Sequence, residues 1–302
     1  MSRKAKILLA FGLYFGITIL LVVIAGNAGK NDEFQPQNEF LLDPWINLDL
    51  GFADMSINKA VLYLFLASAA TIGVMTYIAN RMQREPNKVQ MALEVAYDVT
   101  RNNIAGNIPE EKLARKWFPY LATLFFFIWF SNMLGYLPLP TNTEHSIDVF
   151  GLEIPSFAIY AATANISIPL MLAIISVLAY HVEGIRAQGV GKYFKSWLPP
   201  GLESMNVFGR GAIFVIEVIS HMVRVISLAV RLFANILAGH LLILFMAGGL
   251  AVLLGLAALG VLTFPMAFAF FVFEIGLVAT LQAFIFSTLT AIYIGGATSE
   301  AH

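Results

Sequence analysis

The chain contains no cysteine among its 302 residues, which excludes disulfide frameworks, iron–sulfur clusters, thiolate zinc sites and cysteine nucleophiles. Charge is scarce too. Only 12% of residues are charged while 59% are hydrophobic, and a soluble domain usually carries about twice that charged share. A soluble globular fold is thereby excluded, in keeping with a mean hydropathy of +0.77. Eighteen Lys and Arg nearly cancel 19 Asp and Glu, so bulk charge gives no sign of a nucleic-acid partner. The chain has no His-Glu-x-x-His motif, no Gly-x-Ser-x-Gly elbow and no intramembrane Asp pair, all of which argue against an intramembrane hydrolase. Its 25 Phe, 23 Gly and 11 Met instead suit apolar helices packed closely in lipid.

A bilayer core needs about 20 apolar residues per helix. Runs of that kind cover Ile7–Ala25, Ala60–Ile78, Trp117–Leu137, Phe157–Tyr180, Val207–Leu241 and Leu262–Tyr293. The first is either a retained anchor or a cleaved signal, since Arg3, Lys4 and Lys6 precede it and small residues surround Ala25. The last two exceed the minimum span and are expected to be long helices, tilted, bent or carrying extra turns. Lys and Arg collect before the first run, between the second and third, and between the fourth and fifth. The alternate loops are acidic, with Asp32, Glu33, Asp43, Asp49 and Asp54 in one and Glu144, Asp148 and Glu153 in the other. The basic loops are therefore expected in the cytoplasm and the acidic ones outside. Six spans put both termini in the cytoplasm; five, after cleavage, put the mature N-terminus outside. Between the second and third runs, Val89, Ala92, Leu93, Ala96 and Val99 follow helical spacing, which predicts a helix within Gln83–Ala114, interfacial or simply cytoplasmic.

Ionisable side chains inside a span cost from about 2.5 kcal/mol to far more, so each is a functional candidate. The fifth run contains Glu217, Arg224 and Arg231 at intervals of seven, drifting only about 20° per step on a helix. They form one polar stripe, and Ser227 and Asn235, four residues either side of Arg231, flank it. His240, nine residues beyond Arg231, points about 180° away and lies roughly 13 Å further along. In the last run Glu274 and Gln282 are the strongly polar side chains, about 80° and 12 Å apart. Structural readings stand beside the functional ones: Arg224 as a snorkelling side chain, Glu217 as its ion-pair partner, His240 as a packing histidine and Gln282 as an interhelical tie. Arg231 lies too deep to snorkel and has no acid within two turns of its own helix, so a partner elsewhere is implied. An arginine stays protonated and cannot relay a proton, but it repels protons and holds a carboxylate ionised. Such a group suits a barrier between two aqueous half-channels. A stand-alone channel or transporter would need its counter-charge on this chain, and no internal repeat is visible.

Ser227-Leu-Ala-Val-Arg231-Leu-Phe-Ala-Asn235-Ile-Leu-Ala-Gly-His240 resembles the signature of subunit a of the F-type ATP synthase. The closing Leu281-Gln282-Ala-Phe-Ile-Phe286 through Tyr293 resembles that family's last helix, and Ser131-Asn132-Met-Leu-Gly135-Tyr-Leu-Pro138 its Asn-x-x-Gly-x-x-Pro element. The resemblance implies an all-α polytopic membrane protein with five or six transmembrane helices and a long, tilted C-terminal hairpin. Residues 1–54 would be an added anchor or leader with an external segment, and 55–302 the membrane domain. It implies a proton-translocating stator in which Arg231 faces the c-ring carboxylate, Asn235 and Gln282 neighbour that arginine, and Ser227 shares its motif. His240 and Glu274 would belong to the external access path, Glu217 to the cytoplasmic path, and Arg224 to a basic position beside it. The implied partners are the c-ring, the peripheral-stalk b subunits, membrane lipids and, indirectly, the F1 head. No cofactor, metal or catalytic residue is implied. The implied home is a bacterial plasma membrane with the C-terminus cytoplasmic. Two departures stand out: Thr163-Ala164-Asn165 replaces a Thr-Ala-Asp pattern, and Glu274 sits one residue from the usual titratable position.

Overall fold

The computed structural model describes residues 40–48, 56–80, 82–83, 85–149, 152–198, 206–249 and 257–298, with isolated positions between 4 and 20. The expected first span, Ile7–Ala25, and the Pro199-Pro200-Gly201 break lie largely or wholly outside these. Among the described residues eight α-helices are given bounds: α1 (Lys59–Asn80), α2 (Lys88–Asp98), α3 (Glu111–Leu134), α4 (Ser167–Gln188), α5 (Val190–Ser196), α6 (Val207–Leu244), α7 (Ala257–Phe273) and α8 (Ala279–Thr298). Among the described residues, five helical stretches are long and apolar enough to cross a membrane: Lys59–Asn80, Glu111–Leu134, Ser167–Gln188, Val207–Ala247 and Thr263–Thr298. The expected helical membrane fold is present. At 38 residues, α6 is about 57 Å long, nearly twice the hydrocarbon thickness.

Local chemistry sets the boundaries. Asn87 caps α2, its side chain accepting from the Gln90 amide at 2.8 Å and satisfying a donor the helix leaves free. Val89, Met91 and Val95 are exposed on α2, while Gln90 is buried and Tyr97 packs edge-on against Phe118. Gly189 ends α4 with φ of +80°, a conformation that side-chain-bearing residues adopt reluctantly. The expected fourth span begins about ten residues too early. Phe157 and Ala158 belong to an antiparallel hairpin, β1 (Leu139–Val149) with β2 (Leu152–Ala158), and Ala162–Ala164 form a single 3₁₀ turn before α4. This hairpin, an addition to the helical fold, tolerates Pro140 and Pro155 because a two-stranded sheet consists only of edges. The last span is also divided: a π-helical turn, Glu274–Val278, separates α7 from α8.

The chain forms two compact units. One comprises Ala60–Gly135, Ala161–Asn235 and Ala279–His302. Here α8 packs on α3 and α4, and Phe126, Ile128, Ala173, Ala283, Ala291 and Ile294 of these helices are buried. Two polar ties, one buried and one half-buried, reinforce the apolar contact. Asn132 Nδ2 donates to the Ala279 carbonyl at 3.2 Å while its Oδ1 accepts from the Thr163 hydroxyl at 2.7 Å. Trp129 Nε1 donates to the Thr280 hydroxyl at 3.1 Å. Gly135 lets the chain at Ala161 pass where a Cβ would overlap it. The Asn-x-x-Gly element is thus a packing device. At the end of α4, Lys116 Nζ donates to both carboxylate oxygens of buried Glu183, at 2.6 and 2.8 Å. The other unit comprises Met1–Lys59, Tyr136–Tyr160 and Ile236–Val278. In it Lys59 sits 5.1 Å over the Tyr160 ring, and α7 packs on the π-helical turn Phe245–Gly249.

Replacing Asn132 with Leu removes both of its hydrogen bonds and leaves the buried Ala279 carbonyl and Thr163 hydroxyl without that partner. A destabilisation of about 1 kcal/mol is expected, measured as a lower midpoint in an SDS unfolding titration. An unshifted midpoint would show that the tie contributes nothing.

Candidate functional site

In the first unit, α6 carries Glu217, His221 and Arg224 on one face, following the four- and three-residue spacing of a helix. Arg224 Nη2 lies 3.8 Å and His221 Nε2 lies 3.7 Å from the same Glu217 oxygen, Oε1. The guanidinium of Arg224 stands 5.3 Å over the Tyr293 ring of α8. His221 Nδ1 shares a 2.7 Å hydrogen bond with the Tyr180 hydroxyl of α4, and its ring lies 4.4 Å from that of Trp197. His181 Nδ1 and the Tyr193 hydroxyl share a bond of 2.6 Å. Burial pushes the Tyr193 phenol above its ordinary range, so this group stays protonated. These groups surround a cavity of about 530 Å³ lined by Glu217, His221, Arg224, Tyr180, Trp197 and Tyr293.

One to three turns further along α6, the surroundings change. Ser227, Arg231 and Asn235 are exposed, while Leu228, Ala229 and Leu232 are buried. Met222, Val223, Ile226 and Val230 extend the exposed face with apolar side chains. Among the described residues Arg231 makes no ion pair, and no hydrogen bond joins it to Gln282, which is buried on α8. The stripe of Glu217, Arg224 and Arg231 is continuous in angle but divided in environment: the first two line a cavity, and the third stands on an apolar surface.

In the second unit, Tyr136, His240 and Glu274 come together. The Tyr136 hydroxyl donates to Glu274 Oε2 at 3.1 Å, and its ring lies 4.5 Å from that of His240. His240 is buried, with Nδ1 donating to the Ile236 carbonyl at 2.9 Å. Gly239 lets the Glu274 carboxyl settle against the α6 backbone, since a Cβ there would overlap it. Glu274 opens the π-helical turn, a distortion that often re-aims side chains at functional sites.

Sequence reasoning singled out eight polar residues and missed the groups that frame them. His221 was discoverable from its place four residues after Glu217. Tyr136, Tyr180, Trp197 and Tyr293 come from other segments, and no spacing along α6 points to them. Among the described residues no group of three or more His, Asp or Glu is arranged to hold a metal ion.

The fold and site together define a polytopic membrane protein with ionisable groups built into its spans, the architecture of an ion-translocating membrane subunit. The profile of the family described as ATP synthase A chain matches residues 61–295. Relatives named ATP synthase subunit a are 35% identical in Rubrobacter xylanophilus over 259 residues, 85% of this chain and 91% of that one. Another, from a Parafrankia species, is 35% identical over 274 residues, 89% and 83% of the two chains. A third, from Hyphomonas neptunium, is 31% identical over 272 residues, 88% and 97%. The chain belongs to the subunit a family of the F-type ATP synthase.

Gly239→Val should drive the Glu274 carboxyl from its place beside α6. ATP-driven proton uptake by vesicles carrying the complex is expected to fall roughly tenfold, about 1.4 kcal/mol in a barrier, with the subunits still co-purifying. Uptake at the parent rate would contradict the packing described.

Proposed function

We propose that the chain is the static half of a rotary proton path, with two offset half-channels separated by Arg231. The observation that carries this reading is a fixed cation on an exposed apolar face, in no ion pair among the described residues. A charge in that setting calls for a counter-ion from outside the chain, and a carboxylate on each subunit of the c-ring supplies one. Two polar clusters follow in chain order on either side of Arg231: Glu217 with Arg224 fourteen and seven residues before it, His240 nine after it.

A proton enters from outside beside His240 and Glu274 and neutralises a ring carboxylate. The neutral site then moves into lipid, where an ionised one would be costly. After nearly a full rotation it loses its proton to the path at Glu217 and passes Arg231 ionised, because the guanidinium favours the charged form. Asn235, Ser227 and Gln282 supply neutral polar groups near that passage, and Arg224 holds Glu217 from one side. Each proton crossing 100 mV releases about 2.3 kcal/mol. Summed over several protons, this drives rotation and ATP synthesis in the F1 head, held by the peripheral-stalk b subunits. The basic loops support a cytoplasmic C-terminus in a bacterial plasma membrane. The helical spacing of Val89, Ala92, Leu93, Ala96 and Val99 supports α2 as an interfacial helix. Residues 1–54 act as an anchor or processed leader with an external segment, and 55–302 as the working membrane domain.

Arg231→Ala in the assembled complex should abolish ATP-driven acidification of inverted vesicles while ATP hydrolysis continues. Undiminished acidification would overturn this function.

A further inference from the structure

We propose that His221 is a proton-transfer group of the cytoplasmic path, receiving the proton from Glu217 and passing it to solvent in the cavity. This rests on the half-channel reading above and adds a residue to it. The geometry is that of a relay. Glu217 Oε1 lies 3.7 Å from His221 Nε2, close enough for transfer through a small side-chain adjustment or one bridging water. The opposite ring nitrogen is occupied, since Nδ1 is 2.7 Å from the Tyr180 hydroxyl. That bond sets the ring orientation and, with the Nδ1 proton donated to the phenol oxygen, leaves the Nε2 lone pair facing the carboxyl. Tyr180 is therefore a positioning residue.

The step balances within these groups. The O–H bond of protonated Glu217 breaks as an N–H bond forms at Nε2, giving a carboxylate and an imidazolium. The Nε2 proton then leaves to solvent in the cavity, and the ring returns to its starting tautomer with Nδ1 still bonded to Tyr180. The faces of Trp197, at 4.4 Å, and Tyr180, at 5.7 Å, support the transient cation. So does the Glu217 carboxylate. Arg224, which lines the same cavity, opposes it and so favours onward release. The remaining titratable groups facing the cluster are His181 on α4, 4.9 Å ring to ring, Tyr193 on α5 and Tyr293 on α8. A purely structural histidine would need the Tyr180 bond and the Trp197 contact. It would not need its second nitrogen turned to Glu217, the carboxylate that lines the cavity among the described residues.

The test uses the membrane sector in inverted vesicles stripped of the F1 head, with passive proton flux driven by a potassium diffusion potential. His221→Ala should lower flux about tenfold, the slower direct route through solvent remaining. Imidazole added on the cytoplasmic side should restore it, in proportion to the fraction of imidazole that is neutral. His221→Gln, which keeps a hydrogen-bonding side chain but cannot carry a proton, should stay slow. Co-purification of the ring with each variant establishes assembly. Parent flux in His221→Ala, full flux in His221→Gln, or no response to imidazole would each overturn the relay. Glu217→Gln in the same vesicles separates the two levels. If it leaves flux intact, the cytoplasmic path itself is misplaced; if it blocks flux while His221→Ala does not, only the relay fails.

Discussion

A cation on an apolar surface is the constraint on which the rest of the molecule depends. Arg231 is exposed on α6, as are Val223, Ile226 and Val230, while Leu228 and Leu232, about 60° and 100° around the helix from it, are buried. An arginine cannot discharge by losing its proton. It therefore has to be held by a helix that does not roll, because a rotation of about 100° toward the position of Leu232 would bury it. The long α6, anchored through Leu228, Ala229 and Leu232, supplies that orientation.

Within the first unit, rigidity comes from polar ties placed where lipid makes them matter. Asn132 links α3 to the start of α8 and to the 3₁₀ turn before α4, and Trp129 adds a second link to α8. Lys116 neutralises Glu183 at the opposite end of α3. These groups are paired and serve structure, whereas Glu217, His221 and Arg224 line a cavity. Access to a cavity, rather than partnership, distinguishes Glu217, His221 and Arg224 from the polar groups that hold the bundle. In the second unit Glu274 is accepted in a buried position because Tyr136 donates to it and Gly239 makes room.

Much of this was legible in the sequence because lipid makes few demands and makes them everywhere. Hydropathy finds α1, α3, α6 and the final span, and heptad spacing places Glu217, Arg224 and Arg231 on one stripe. The start of α4 was misplaced because Phe157 and Ala158 are as apolar as a span but serve a strand, and an isolated apolar run does not distinguish the two. The π-helical turn at Glu274 left no trace, since one extra residue in a helix changes no composition. Tyr136 and Tyr180 escaped notice for a different reason: their roles depend on which segments meet in space. Motif resemblance pointed to Asn132 and Gly135, but only the structure shows them to be packing residues.

Because the chain has no cysteine, single cysteines can be introduced without background. Val223→Cys and Val230→Cys would lie on the exposed side of α6 next to Arg231, and Ile72→Cys would sit at an exposed position of α1. Each variant is paired with a cysteine placed beside the carboxylate of the ring subunit, in the assembled complex under mild oxidation. Disulfides from positions 223 and 230 but not 72 are the predicted result. Cross-linking from position 72 alone, or from none of the α6 positions, would contradict the view that Arg231 finds its counter-charge on the ring.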